Sequence, residues 1–313
     1  MRTLLAKVAL AAGLSWLIAT LAFLSMHTLP GDLALQVAGS RFVGTPPDTG
    51  LADGLRAAYG LDRPILVQYG DWLAHVLRLD LGRSLVTGRP VADELSFYLG
   101  NSLALGAVGL AGAVLVALPL GHLAGSRPGG TADRLTAVYC GLLAAVPAFL
   151  LGVLLIRIVV VDWGMGTLSG DGSFGRLALP GLVVALVASA PLLRVVRNAV
   201  AHVTRQPYFF FARMRGVPSG RLFLRHGLRN ASLPVLAYMS TLYVFLLYDL
   251  VVVEVVFNYP GIGYALHDAI KARDLPVIQG ATLTLVLAYL LLTAATDLVS
   301  QRLDPRIGRS GRP

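Results

Sequence analysis

An all-α, polytopic membrane protein with six transmembrane helices is the fold class this sequence predicts, on three observations. The 313 residues are 56% hydrophobic and only 14% charged, with a mean hydropathy of +0.70, whereas soluble domains run near 25% charged. Six runs lack Asp, Glu, Lys and Arg: residues 8–31, 95–126, 135–156, 177–193, 230–248 and 275–296. Each approaches or exceeds the roughly 20 residues that cross a bilayer, with the fourth and fifth extending past their charge-free limits. Finally, 34 glycines suit helices packed closely in lipid, where small residues let backbones approach.

The first run follows Arg2 and Lys7 as a signal peptide would. However, it is long and ends in Thr28-Leu29-Pro30-Gly31-Asp32 without a small-residue cleavage pattern, so it reads as an uncleaved span. Counting charges orients the chain. With the N-terminus inside, sixteen of the 26 basic residues fall in cytoplasmic segments and ten outside. Eight acids lie between Asp32 and Glu94 alone. Both termini are therefore expected in the cytoplasm. The net charge of +9 sits in short loops between apolar runs, which is a membrane footprint and argues against nucleic acid.

Residues 1–31 form the first span and residues 32–94 an outer segment. Residues 95–300 form a five-helix core with an inner loop at 201–229, and 301–313 a cytoplasmic tail. The outer segment contains Pro46-Pro47, then a helical stretch over 50–59 closed by Gly60, then a second over 65–77 after Pro64. It is an ordered loop, equally fit to cap the helix ends or to receive a partner.

The inner loop is the most informative stretch. Between Leu192 and Ala231 stand eight arginines and no acid. Pro207 suits a first helical turn, residues 208–215 give about two turns, and Gly216 supplies a left-handed cap. Pro218 blocks continuation and Ser219 caps a new helix. Tyr208, Phe209, Phe210 and Phe211 are too many aromatics for water. Either they lie in the lipid interface or they fill a partner's groove.

The segment A-R-M-R-G-V-P-S-G-R-L-F-L-R-H-G-L-R-N-A-S-L-P (212–234) resembles the coupling-loop signature of bacterial ABC-importer permeases, in the branch handling dipeptides, oligopeptides and nickel. Similar pieces follow that branch in order: L-P-G-D (29–32), Y-G-L-D-R-P (59–64), Q-Y-G-D-W-L (68–73), D-L-G-R-S (80–84), P-A-F-L-L-G (147–152), V-V-V-E-V-V-F-N-Y-P-G-I-G (251–263), R-D-L-P-V-I-Q-G (273–280) and L-D-P-R-I (303–307). Relatives often carry Glu or Thr where Phe210 and Phe211 stand, and small residues where Asp249 stands.

The resemblance implies a type I ABC importer permease fold in the bacterial inner membrane. It also implies a second, homologous permease subunit, with the pathway between the two. Two ATP-binding subunits would each receive a coupling helix, and an extracytoplasmic substrate-binding protein would dock outside. Here the coupling residues would be Tyr208, Phe210, Phe211, Ala212, Arg213, Arg215 and Gly216. ATP and Mg would belong to the ATPase subunits and no cofactor to this chain, which has no phosphate-loop sequence. Transported solutes would be peptides, nickel or metal chelates.

Two carboxylates stand in or near the fifth span, where charge is costly unless it meets water or a partner. Asp249 and Glu254 point about 140° apart on a helix. They are the candidate pathway residues, Glu254 being also the better placed for a structural role. His122, His202, His226 and His267 show no metal-ligand spacing, and the single Cys140 lies in an apolar run, so no metal site is expected. The string Leu168-Ser169-Gly170 has no histidine partner, which disfavours a peptidase. Pro119, Pro147, Pro180 and Pro191 should kink or bound helices. The alternative of another class is an ion-coupled secondary transporter acting alone with Asp249 as its carboxylate, which would show inverted repeats; none is apparent.

Overall fold

The computed structural model describes residues 13–14, 16–21, 23–24, 32–41, 49–60, 62–78, 80–164 and 173–303. Most of the first predicted span, the Pro46-Pro47 pair, the 168–170 string and the 304–313 tail lie outside the described residues, as does the side chain of His226. Regular structure among the described residues is helical: α1 Leu33–Arg41, α2 Thr49–Tyr59, α3 Ile65–Leu77, α4 Val91–Ser126, α5 Thr131–Ala145, α6 Ala148–Leu155, α7 Ser173–Thr204, α8 Pro207–Met214, α9 Ser219–Leu222, α10 Leu228–Val256, α11 Ile262–Ala272 and α12 Leu275–Leu303. Wider π turns follow α6 at Ile156–Asp162 and join α9 to α10 at Phe223–Gly227.

Among the described residues three stretches are long and apolar enough to cross a membrane: Val91–Ser126, Arg176–Thr204 and Leu275–Thr296. A bent pair, Thr131–Ala145 with Ala148–Asp162, would make a fourth. α10 has spanning length too, about 43 Å at 1.5 Å per residue over 29 residues. The third predicted span, 135–156, is not straight; it bends by 98° at Val146-Pro147. The physical reason is local. A proline disfavours helical backbone in the residue before it, and Val146 is extended at φ −104°, ψ 116°. Pro119, Pro180 and Pro191, by contrast, lie inside continuous helices.

The chain divides into two compact units, Met1–Ser102 with Pro260–Leu290 and Leu103–Tyr259 with Leu291–Pro313. In the second unit the core is inverted relative to a soluble protein. On α4 the large Leu115, Leu118 and Leu123 are exposed, while Ala113, Ala117 and Ala124 are buried. The buried face meets α7 through glycines. A Cβ on Gly109 would stand 2.2 Å from Val184, on Gly121 2.7 Å from Val196, and on Gly125 2.5 Å from the carbonyl oxygen of Arg197. Such approach maximises dispersion contact where lipid supplies no hydrophobic drive. Around it Leu105, Val183, Val184, Leu192, Leu193, Val196 and Leu246 form one buried cluster.

In the first unit, α1 and α2 pack together around Ala34, Val37, Ala38 and Ala52. Arg56 bridges the Asp32 and Asp53 carboxylates. Partial burial opposes charge on Asp32, but the Arg56 guanidinium and the N–H groups of Leu35 and Ala34 outweigh it and hold its pKa below the usual carboxylate value. α3 begins after Pro64 and α2 ends at Gly60, whose φ of +62° a residue with a side chain rarely adopts.

The glycine contacts generate a prediction. Gly125→Val should destabilise the protein by about 1–3 kcal/mol through overpacking against backbone. Gly141→Val, at a site where a Cβ meets nothing within 4 Å, should cost much less. Thermal unfolding of the two variants in detergent compares them directly.

Candidate functional site

The inner-loop helix α8 forms as its sequence dictates. Gln206 is extended at φ −68°, ψ 145°, and Pro207 occupies the first turn. At the other end Gly216 N–H donates to Arg213 O at 2.9 Å and Val217 N–H to Ala212 O at 3.3 Å. With Gly216 at φ +79° this is a Schellman cap, and the left-handed residue there wants glycine. Pro218 follows and α9 starts at Ser219.

The four aromatics divide between two faces. Phe209 is buried at 3% exposure, in the same cluster as Val200, Val203, Leu222 and Phe223, with Ala212 packed partly against it. Phe210, Phe211 and Met214 stand 60%, 64% and 74% exposed. Tyr208 is also exposed, and its hydroxyl accepts from the Asn230 amide at 3.1 Å, tying α8 to the start of α10. Arg213, Arg215 and Gly216 are exposed at the end of the helix. The result is an apolar knob edged by cations on a helix that is anchored from behind.

Phe209 is the residue that the sequence alone did not single out. A helical period would have found it, since Phe209 and Ala212 are three apart and share the inward face. The partner of Arg197 was hidden too. Its guanidinium donates through Nε and Nη2 to the two Asp133 oxygens at 2.8 and 2.7 Å, and Gly129 N–H adds a third bond at 2.8 Å. This two-pronged pair fixes the turn between α4 and α5 to α7. One of the eight arginines is therefore spent inside the fold. The His122 and Phe223 rings meet at a tilt of 59° with centres 4.4 Å apart, where the chain widens into its π turn. A Cβ on Gly227 would sit 2.6 Å from that ring.

The two candidate carboxylates separate. Glu254 has no exposed surface and is engaged by other groups. Asp249 remains half-buried, next to an exposed Tyr248. Among the described residues no three His, Cys, Asp or Glu side chains gather as a metal site.

Several of the recurring sequence pieces meet in the first unit. Asp274, in R-D-L-P, is buried and accepts from the Ser84 hydroxyl and from the N–H groups of Leu85 and Val86 at 3.0 and 3.2 Å. Ser84 closes D-L-G-R-S and in turn accepts from Thr87 N–H at 2.9 Å. At N-Y-P-G-I-G, the Asn101 amide donates to Pro260 O at 2.9 Å, and Ile262 N–H donates to the Ser102 hydroxyl at 2.8 Å.

Long apolar helices joined to a capped, cation-edged helix with an exposed apolar face define a multi-pass membrane protein with a short amphipathic helix in one of its loops. Comparison with known proteins makes this specific. Residues 117–309 match the family described as binding-protein-dependent transport system inner membrane component. The chain is 35% identical over 291 residues to the glutathione transport system permease protein GsiC of Salmonella typhimurium, covering 93% of this chain and 94% of that one. It is 33% identical over 292 residues to the protein of the same name from Escherichia coli strain K12, with the same coverage. The chain belongs to this family and is an inner-membrane permease of an ABC importer in the peptide branch. It is not itself an enzyme, because ATP hydrolysis in such systems resides on a separate subunit.

The division of the aromatics is testable. Phe209→Ala should cost about 3–5 kcal/mol of stability, as large core truncations do. Phe210→Ala should stay within about 0.5 kcal/mol. Denaturation midpoints of the purified variants measure both.

Proposed function

We propose that the chain is one of two permease subunits of an ATP-driven importer for small peptides, with α8 as the helix that couples it to an ATPase subunit. The exposure of Phe210, Phe211 and Met214 on an anchored, capped helix carries this reading. Three large apolar side chains left bare on an anchored, capped helix suit a groove on a partner. Arg213 and Arg215 beside them favour a groove with an acidic rim.

The mechanism follows from the anchoring. Because α8 packs on α7 and α9 and its Tyr208 is bonded to Asn230 of α10, a displacement of α8 would carry into the two long helices α7 and α10. Closure of the ATPase pair on ATP would pull α8 as a lever and bias the permease between inward- and outward-facing states. The π turn at Phe223–Gly227 gives the connection to α10 a place to flex. Six spans with both termini in the cytoplasm put this helix on the nucleotide side. An extracytoplasmic binding protein would deliver solute near residues 32–94.

Peptides are favoured over nickel or metal chelates because the relatives matched over nearly their whole length are named glutathione permeases, and glutathione is a tripeptide. On this reading Asp249, half-buried on α10, would meet the ammonium group of such a solute. Glu254 belongs to the packing of the unit. An ion-coupled carrier working alone would need no docking helix.

Gly216→Pro forces φ from +79° to about −65° and deletes an N–H donor. Ala212→Glu puts a charge on the inward face beside Phe209 and so disturbs the anchoring of α8. Both variants should reach the membrane in parental amounts yet lose at least tenfold of the solute-stimulated ATPase activity of the assembled transporter. Undiminished stimulation in both would refute the coupling role.

A further inference from the structure

Seven polar or charged side chains are buried among the described residues: Ser84, Ser102, Thr136, Ser189, Glu254, Asp274 and Gln279. Six have partners. Ser84 and Asp274 bind each other, Ser102 holds Ile262, Thr136 donates to Asp133 O, Ser189 meets Tyr139, and Glu254 is engaged. Gln279, only 5% exposed on α12, makes no hydrogen bond among the described residues. A buried carboxamide has two N–H donors and a carbonyl acceptor, and leaving them unmade costs the full loss of their hydration.

Gln279 lies on the wall of a cavity of 420 Å³ within the first unit, which α3 and the loop after it also line. Trp72 gives that wall a flat apolar surface, held in place by stacking on Phe23 with ring centres 5.8 Å apart. Asp80 and Arg83 bring opposite charges to it. Asp80 accepts a bond from Gly82 N–H at 2.9 Å and Arg83 gives one to Gly88 O at 3.1 Å. A carboxylate has room for about four such bonds and a guanidinium for five, so both keep capacity for a guest. Mostly apolar walls with a few convergent polar groups, at a volume within roughly 300–1,000 Å³, are the features of a small-molecule site.

We propose that this cavity binds a small amide-bearing solute with an apolar or aromatic side group, a short peptide or acylated amino amide in class. The solute's amide pairs with the Gln279 carboxamide, which an amide complements as both donor and acceptor. Its apolar group lies on Trp72. Asp80 and Arg83 accommodate the charged ends of a free peptide. This site goes beyond the transport reading above and stands whether or not the bound solute is the one imported.

The test uses the full chain in lipid nanodiscs with Trp16 and Trp163 replaced by Phe, leaving Trp72 as the one tryptophan of three. Titration with N-acetylphenylalaninamide should change Trp72 fluorescence saturably. Gln279→Leu should weaken that binding at least tenfold. The same substitution should raise the thermal midpoint of the unliganded protein, because it removes an unpaired buried amide. The amide-free 3-phenylpropan-1-ol should bind both forms within about twofold of each other. The proposal is overturned if the amide probe gives no saturable response, as it would were the cavity filled by water alone. Equal affinity in Gln279→Leu would overturn it too, and so would a lowered midpoint, which would mean that the amide has an internal partner.

Discussion

Phe209 sits among Val200, Val203, Leu222 and Phe223, and that burial ties an eight-residue helix to two elements of the membrane core. Burying a phenylalanine contributes about 2–3 kcal/mol, which a two-turn helix could not supply for itself, since isolated helices of this length are marginal in water. Everything proposed about α8 depends on this anchor. Without it, Phe210 and Phe211 would move independently of α7 and α10, and force applied to them would go nowhere. With it, the Schellman cap at Gly216 and the Tyr208–Asn230 bond hold the helix at both ends.

The polar groups of the first unit show the complementary constraint, that a buried charge or dipole must be met. Asp274 satisfies it with three donors from a loop about 190 residues earlier in the chain, and in doing so joins two segments that would otherwise have no reason to meet. Asn101 and Ser102 do the same for the turn before α11. Against that background Gln279, whose amide makes no hydrogen bond among the described residues, is an exception, and its place on a cavity wall gives the exception a chemical meaning.

What could be read in the sequence was mostly local. Gly60, Pro64, Pro207, Gly216 and Pro218 mark helix ends through backbone geometry that depends on one or two residues, and α3 begins and ends where the sequence places it. Of the four prolines expected to kink or bound helices, Pro147 breaks the 135–156 span, whereas Pro119, Pro180 and Pro191 lie inside continuous helices, a difference that apolar content does not encode. The direction at Val146 is set by the proline that follows it. The pairing of Arg197 with Asp133 and of Ser84 with Asp274 crosses 64 and 190 residues, distances over which no periodicity carries information. Resemblance to permeases pointed to α8 as the candidate coupling helix, but the split of its aromatics into one anchor and an exposed pair needed the packing around them.

The most direct measurement replaces single aromatics with a photoreactive benzoylphenylalanine and illuminates membranes that contain the assembled transporter. Positions 210 and 211 should cross-link to an ATP-binding subunit, in amounts that change with ATP, while position 209 should not. Cross-linking of 210 and 211 to lipid alone, or an ATPase adduct at 209 as strong as theirs, would contradict the account.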